Sequence, residues 1–319
     1  MNNKPVLIVS GEPYSVFLEI FFKTKKKKFN RPIIIIVSKK LFYKQMQKLN
    51  FDVKINVIDK DNIKFKLLDN KSVNLIDVNF KFKKTFDKIS DASNKYIDEC
   101  FKIALLLLKT NKFHGLINGP ISKRNFLKQK FLGITEYLAK KTNVKKFSML
   151  IYNKNLSVCP ITTHLPLKDV SKKITKIEII NKAELIVNFY KKKFKKIPKI
   201  AITGLNPHCE SNYKDSEETR IIKPAIMSLA KKKIRVYGPF AADTIFMKEQ
   251  SKKYDVIIGM YHDQVLTPLK SLFGFNAINI TLGLPFIRIS PDHGPNYSML
   301  GKNLSDPKSL IEALKFLDK

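Results

Sequence analysis

Five histidines punctuate the 319-residue chain, at positions 114, 164, 208, 262 and 293. Four of them sit in polar turns that directly follow apolar runs: Thr162-Thr-His-Leu-Pro-Leu, Gly204-Leu-Asn-Pro-His-Cys-Glu, Met260-Tyr-His-Asp-Gln and Pro291-Asp-His-Gly. His114 precedes its apolar run and reads as structural. A single histidine at a strand end is more often a hydrogen-bonded structural residue than a ligand. Several at equivalent strand ends are harder to dismiss, because parallel strands deliver their carboxyl ends to one edge of a sheet, where ligands bind. Three imidazoles meeting there could hold a divalent metal and leave positions open for substrate. Asp263, beside His262, is a natural acidic partner for such a site.

Lys270, Asn279 and Arg288 form a second set, each expected near a strand or turn in the last sixth of the chain. Arg288 is embedded in Leu284-Pro-Phe-Ile-Arg-Ile-Ser. An arginine among large apolar residues needs an anionic partner or a route to solvent. That partner is either a substrate carboxylate or phosphate, or an acidic side chain in a buried ion pair.

These residues need a scaffold, and the apolar patterning supplies one. Val6–Ser10 and Ile33–Val37 read as strands, followed by a hairpin-like stretch over Val53–Phe82. Ala92–Thr110 has helical apolar spacing. Gly115–Asn118 reads as a strand running into Gly-Pro-Ile-Ser-Lys, a turn leading to a helix start. Phe147–Thr162 looks like a strand pair and Lys176–Lys193 like a long amphipathic helix. Lys199–Gly204, Ile234–Gly238 and Tyr254–Met260 read as strands, Ala277–Ser290 as one further extended stretch, and Lys308–Leu317 as a closing helix. Such alternation predicts an α/β protein with a mostly parallel sheet covered by helices. The expected organisation is a single two-lobed unit, with lobes at 1–145 plus 285–319 and at 146–284. No repeat or flexible linker interrupts it.

Composition narrows the function classes. The formal net charge of +33 raises the question of nucleic acid. However, only five of the basic residues are arginines, at 31, 124, 220, 235 and 288, whereas nucleic-acid surfaces favour the bidentate arginine fork. The lysines are scattered over helix faces and loops among many Asn, Ile and Phe residues, which reads as codon bias rather than a binding surface. Cys100, Cys159 and Cys209 are odd in number and lack CxxC spacing, arguing against a disulfide framework and for a reducing cytoplasm. No apolar run is long enough to span a bilayer, and the first residues read as a strand rather than a secretion signal. The GxGxxG dinucleotide fingerprint is absent. Gly11-Glu-Pro is a turn but a poor phosphate cradle.

Taken in order, the motifs resemble the 4-hydroxythreonine-4-phosphate dehydrogenase family. They are Ser10-Gly-Glu-Pro, Asn118-Gly-Pro-Ile-Ser-Lys, Gly133-Ile-Thr-Glu-Tyr-Leu-Ala, Thr162-Thr-His-Leu-Pro-Leu-Lys-Asp-Val, Gly204-Leu-Asn-Pro-His, Gly238-Pro-Phe-Ala-Ala-Asp-Thr, Met260-Tyr-His-Asp-Gln, Asn279-Ile-Thr-Leu-Gly-Leu-Pro-Phe-Ile-Arg and Asp292-His-Gly. Each is weak alone, but the ordered set covers nearly the whole chain. The resemblance implies a two-lobed α/β/α fold like that of isocitrate and isopropylmalate dehydrogenases. It also implies a homodimer with its active site at the subunit boundary. It assigns metal binding to His164, His208 and His262, and substrate contacts to Thr135, Lys270, Asn279 and Arg288. Lys270 and Asp263 are then the candidates for catalysis. The implied reaction is NAD(P)-linked, metal-dependent (Zn, Mg, Co or Mn) oxidation and decarboxylation of 4-phosphooxy-L-threonine in pyridoxal phosphate biosynthesis. A related phosphorylated sugar acid of the threonate or erythronate type is the alternative substrate, and a non-catalytic metabolite binder the alternative class. Nucleic acid and membrane are not expected partners.

Several positions depart from the family pattern. Ile134 stands where the family usually has a histidine, so one hydrogen bond to substrate is missing. Tyr14-Ser-Val-Phe replaces a glycine-rich continuation, and Cys209-Glu-Ser-Asn, Val265 and Pro295-Asn-Tyr-Ser replace smaller residues. Glycine allows close backbone approach and left-handed turns, so these changes bear on the cofactor pose and the substrate.

Overall fold

The computed structural model describes residues 4–128, 130–209, 214–274, 276–291 and 294–319. The Asp292-His293 pair, Glu210–Asn212 and the first three residues lie outside the described residues. The chain forms two compact units: Met1–Tyr137 with Pro285–Lys319, and Leu138–Leu284.

The first unit opens with β1 (Val6–Val9), α1 (Phe17–Thr24), β2 (Ile33–Val37), α2 (Lys39–Lys48), β3 (Ile55–Val57), β4 (Val73–Asp77), α3 (Asn94–Lys109) and β5 (Gly115–Asn118). Helix α4 (Ile134–Lys141) starts in this unit and runs into the next. The second unit continues with β6 (Ser148–Tyr152), β7 (Ser157–Pro160), α5 (Val170–Lys173), α6 (Lys176–Phe194), β8 (Ile200–Thr203), α7 (Lys223–Lys231), β9 (Val236–Phe240), α8 (Lys248–Ser251), β10 (Val256–Gly259), α9 (His262–Phe273) and β11 (Ile278–Leu282). The chain then returns to the first unit with β12 (Ile287–Pro291) and α10 (Lys308–Asp318).

In the first unit the strand order is β3-β4-β2-β1-β5-β12, and every pairing is parallel. β1 and β2, with sequences VLIV and IIIIV, are buried along their whole length, as strands covered on both faces by helices must be. In the second unit the order is β11-β6-β7-β10-β8-β9. β6 lies antiparallel to β11 and β7, while β7, β10, β8 and β9 run parallel. The fold class is therefore α/β with a mostly parallel, mixed sheet.

Helix positions follow apolar periodicity and capping. On α3 the buried residues Tyr96, Ile97, Cys100, Phe101, Ala104, Leu105 and Leu108 form one stripe, the spacing of a helix packed on a sheet. Ser38 caps α2 through the Leu41 amide and Thr175 caps α6 through the Glu178 amide, each satisfying a donor that has no partner within the helix. On α9, Val265, Leu266 and Leu269 enter a core with Ile151, Val158 and Ile257. That leaves the opposite face of α9 for polar groups.

Four local expectations are corrected. Val53–Phe82 is no hairpin: β3 and β4 pair in parallel, and β4 also pairs with β2. Alternating residues cannot distinguish parallel from antiparallel neighbours, because that choice depends on the connection. Gly-Pro-Ile-Ser-Lys leads into turns rather than a helix, and the next helix begins only at Ile134. Ala277–Ser290 is two strands, broken at Gly283 with φ +92. Finally, Lys270 lies in the last turn of α9, not at a strand or turn.

Candidate active site

In the second unit, His262 is the first residue of α9, reached from β10 through Met260 and Tyr261. Its Nδ1 lies 2.6 Å from Asp263 Oδ1. An acidic residue in the first turn also suits the positive end of the helix dipole. This contact leaves Nε2 as the ring's other donor atom, the usual arrangement of a carboxylate-oriented metal ligand. His164, in the turn after β7, has its ring centroid 5.7 Å from that of His262, with an interplanar angle of 39°. Two imidazoles sharing one metal at ~2.1 Å per nitrogen in tetrahedral geometry have centroids about 5.3 Å apart. The centroid spacing of the pair is compatible with one shared divalent ion.

His208 stands apart from them in contact terms. Its Nδ1 is 4.0 Å from Asp243 Oδ2, and among the described residues no three His, Cys, Asp or Glu side chains close into a metal-binding group. His208 and Cys209 both adopt left-handed backbone, with φ of +58 and +57. Glycine would take Cys209's conformation without steric cost, which gives physical content to the departure noted there. The turn before His208 is well anchored. Glu218 Oε1 accepts from the Leu205 and Asn206 amides at 2.8 Å each, and its Oε2 accepts from Asn206 Nδ2 at 2.9 Å. Burial pushes the Glu218 carboxyl up, but these donors outweigh it and hold the group below its ordinary value.

Lys270 is exposed and lies eight residues beyond His262 on the same helix, an axial separation of about 12 Å. Asn279 lies on β11 opposite Ile151. Its Oδ1 is buried without a hydrogen-bond partner among the described residues, the state of an acceptor waiting for a donor from a ligand.

In the first unit, Arg288 on β12 is fully buried. Its Nε donates to Asn118 Oδ1 at 2.7 Å and its Nη1 to Thr135 Oγ1 at 3.4 Å. Arg288, Asn118 and Thr135 come from three separate motifs; the parallel pairing of β5 with β12 brings Asn118 to Arg288, and the start of α4 adds Thr135. Burial pulls the guanidinium down to about 9, while nearby Glu136 acts in the opposite direction. A cation kept under this pressure is stabilised by any anion that reaches it. Ile134 immediately precedes Thr135 at the start of α4.

Glu12, in Ser10-Gly-Glu-Pro, carries a signal that the sequence reading missed. Its side chain is buried, Oε1 accepts from Ser93 Oγ at 2.7 Å, and Oε2 has no partner among the described residues. Burial raises the carboxyl to about 7, with the Ser93 hydrogen bond opposing the rise. The Glu12 amide donates to Pro120 O at 2.9 Å. Gly11, with φ +77, is required there, since a Cβ would lie 2.5 Å from the same carbonyl. Ser10-Gly-Glu-Pro and Asn118-Gly-Pro are thus one interlocked structure.

Three amides of this turn and the start of α1 are not open to a phosphate. The amides of Glu12, Val16 and Phe17 are already taken by Pro120 O, Pro295 O and Ser15 Oγ. Tyr14, standing where the family pattern is glycine-rich, is buried edge-on against Phe80 at 5.8 Å.

A pH prediction follows from Glu12. A carboxyl whose folded value lies above its unfolded value stabilises the fold below the unfolded value, and that stability is lost as pH rises through the folded one. The interval from 4.5 to about 7 corresponds to roughly 3 kcal/mol. Thermal unfolding of Glu12→Gln between pH 5 and pH 8 should show a flatter fall in Tm than the unaltered chain. Parallel curves would remove Glu12 as the cause.

Comparison with known proteins identifies the family. Residues 28–317 match the family model described as pyridoxal phosphate biosynthetic protein PdxA. A 4-hydroxythreonine-4-phosphate dehydrogenase from Sulfurihydrogenibium sp. is 40% identical over 316 residues, covering 97% of this chain and 95% of its own. A protein of Oceanobacillus iheyensis, named for D-threonate 4-phosphate dehydrogenase activity, is 31% identical over 98% of this chain and 97% of its own. The crystal structure of 4-hydroxythreonine-4-phosphate dehydrogenase from Klebsiella pneumoniae aligns with a TM-score of 0.85 at 25% identity, covering 98% of each chain. No helix among the described residues is long and apolar enough to cross a membrane. With its motifs in family order on a matching fold, the chain belongs to the PdxA family of oxidoreductases.

Proposed function

We propose that the chain oxidises 4-phosphooxy-L-threonine at C3 and releases its carboxylate as CO2, giving 3-amino-2-oxopropyl phosphate. The observation that carries this reading is Arg288: a wholly buried guanidinium, held by Asn118 and Thr135 and depressed by burial. Such a group is built to meet an anionic substrate. Thr135 would orient the same anionic end, and the unsatisfied Asn279 Oδ1 would accept from the substrate ammonium.

His164 and His262 would hold the divalent metal, with Asp263 fixing the His262 ring and His208 the expected third ligand. When bound, the ion supplies Lewis acidity that makes the C3 hydroxyl easier to deprotonate and stabilises charge during decarboxylation. NAD(P) is the proposed hydride acceptor. Lys270 is proposed to contribute charge or proton transfer. A second copy of the chain is the proposed partner, and the cytoplasm the proposed location.

One observation favours a second reading. Ile134 cannot donate a hydrogen bond, and a 31% identical relative is named for D-threonate 4-phosphate. A panel of phosphorylated four-carbon acids, read by NADH formation, tests both readings. The proposal requires 4-phosphooxy-L-threonine to have the highest kcat/KM. In that case Ile134→His should lower KM for it by roughly ten- to a hundred-fold, the worth of a hydrogen bond to a charged group at about 1.5–3 kcal/mol. No improvement with this substrate, combined with good turnover of threonate phosphate by the unaltered chain, would establish the second reading instead.

A further inference from the structure

We infer that Gln264 is the positioning residue that keeps the histidine-bearing turns of the second unit in register. The inference rests on the metal reading of His164, His208 and His262 given above. Gln264 lies in the first turn of α9, two residues after His262. Its Oε1 accepts from the Met260 amide at 2.6 Å and from Thr203 Oγ1 at 2.9 Å. Its Nε2 donates to Gly204 O at 2.8 Å. One side chain therefore ties the exit of β8 to the exit of β10.

The tie extends to β7 and β9. The Met260 carbonyl accepts from both the amide and Oγ1 of Thr162, at 3.1 and 2.8 Å. The Gly204 amide donates to Phe240 O at 2.9 Å. Behind the β7 exit, the buried Lys182 Nζ donates to Pro160 O at 3.3 Å and Ile161 O at 2.5 Å. Each exit lies close in sequence to a proposed ligand or its partner. Thr162 and Met260 are two residues before His164 and His262, Gly204 is four before His208, and Phe240 is three before Asp243, the acid facing His208.

The donor–acceptor pattern demands an amide. Oε1 serves two donors while Nε2 serves a carbonyl, so a carboxylate here would keep the first two contacts and oppose the third. Leucine or methionine would lose all three. Gly259 leaves part of the space in which this side chain lies: a Cβ there would come to 3.0 Å from Gln264 Oε1. Because the network joins strand exits rather than core side chains, its loss should be felt in ligand geometry before global stability. Partners that orient metal ligands typically influence affinity by ten- to a hundred-fold, and about that loss is expected here.

The test is a titration of purified apo-protein with Co(II), read by visible absorption and calorimetry, alongside Tm without metal. The unaltered chain should bind about one ion per subunit, and His262→Ala should not. Gln264→Glu should keep a Tm close to that of the unaltered chain yet bind Co(II) roughly ten- to a hundred-fold more weakly. If Gln264→Glu fails to fold, Thr203→Val, which removes one donor to Oε1, carries the test with a smaller loss of affinity. Unchanged affinity in a folded variant, or a drop in Tm alone, overturns the positioning role while leaving the metal reading intact. Absence of Co(II) binding by the unaltered chain overturns both.

Discussion

Replacing His262 with alanine should lower NADH formation by about a thousand-fold or more and remove bound divalent metal. Lewis-acid stabilisation of developing charge is worth several kcal/mol, and about 4 kcal/mol corresponds to a factor near a thousand. His262 offers its second ring nitrogen while Asp263 holds the first at 2.6 Å, and its ring lies 5.7 Å from that of His164. Asp263→Asn should be milder, since it alters the orientation and basicity of the ring without removing a donor. Elemental analysis of protein purified without chelator, paired with initial rates, checks both variants. Full turnover by chelator-treated protein would sink the metal reading.

Arg288→Met should separate stability from function. Exchanging a buried charge for an apolar side chain of similar length is often neutral or stabilising. The variant does orphan Asn118 Oδ1, now satisfied at 2.7 Å, at a cost of roughly 1–3 kcal/mol. These effects oppose one another, so Tm should change by only a few degrees. Substrate binding should suffer far more. Loss of a desolvated guanidinium facing an anion removes about 3–4 kcal/mol and should raise KM by a few hundred-fold. An unchanged KM would reassign Arg288 to a purely structural ion pair, with Glu136 the acid already near it.

Much of this scaffold was legible in the residues. The runs VLIV and IIIIV can be buried on both faces only in a helix-covered parallel sheet, and they are. The stripe on α3 and the amphipathic course of α6 were readable because a helix repeats every 3.6 residues. The hairpin reading of Val53–Phe82 failed for the complementary reason. A β-strand pattern says which side chains face inward but not which strand lies alongside, and β4 takes β2 and β3 as parallel neighbours.

What the sequence by itself determined was chemical identity: which residues can ligate, carry charge or cap a helix, and in what order they occur. Arg288 could be singled out because a guanidinium among Ile, Phe and Leu demands a partner wherever the chain places it. Partner choice was decided only by the tertiary structure. Gln264 has no titratable or metal-binding signature, and its importance lies in contacts with Thr203 and Gly204, about sixty residues earlier in the chain. Glu12 became a neutral-range acid only when burial left Oε2 without a donor. Local pattern follows from the backbone's fixed repeats, whereas hydrogen-bond partners and desolvation arise from segments that meet only after folding.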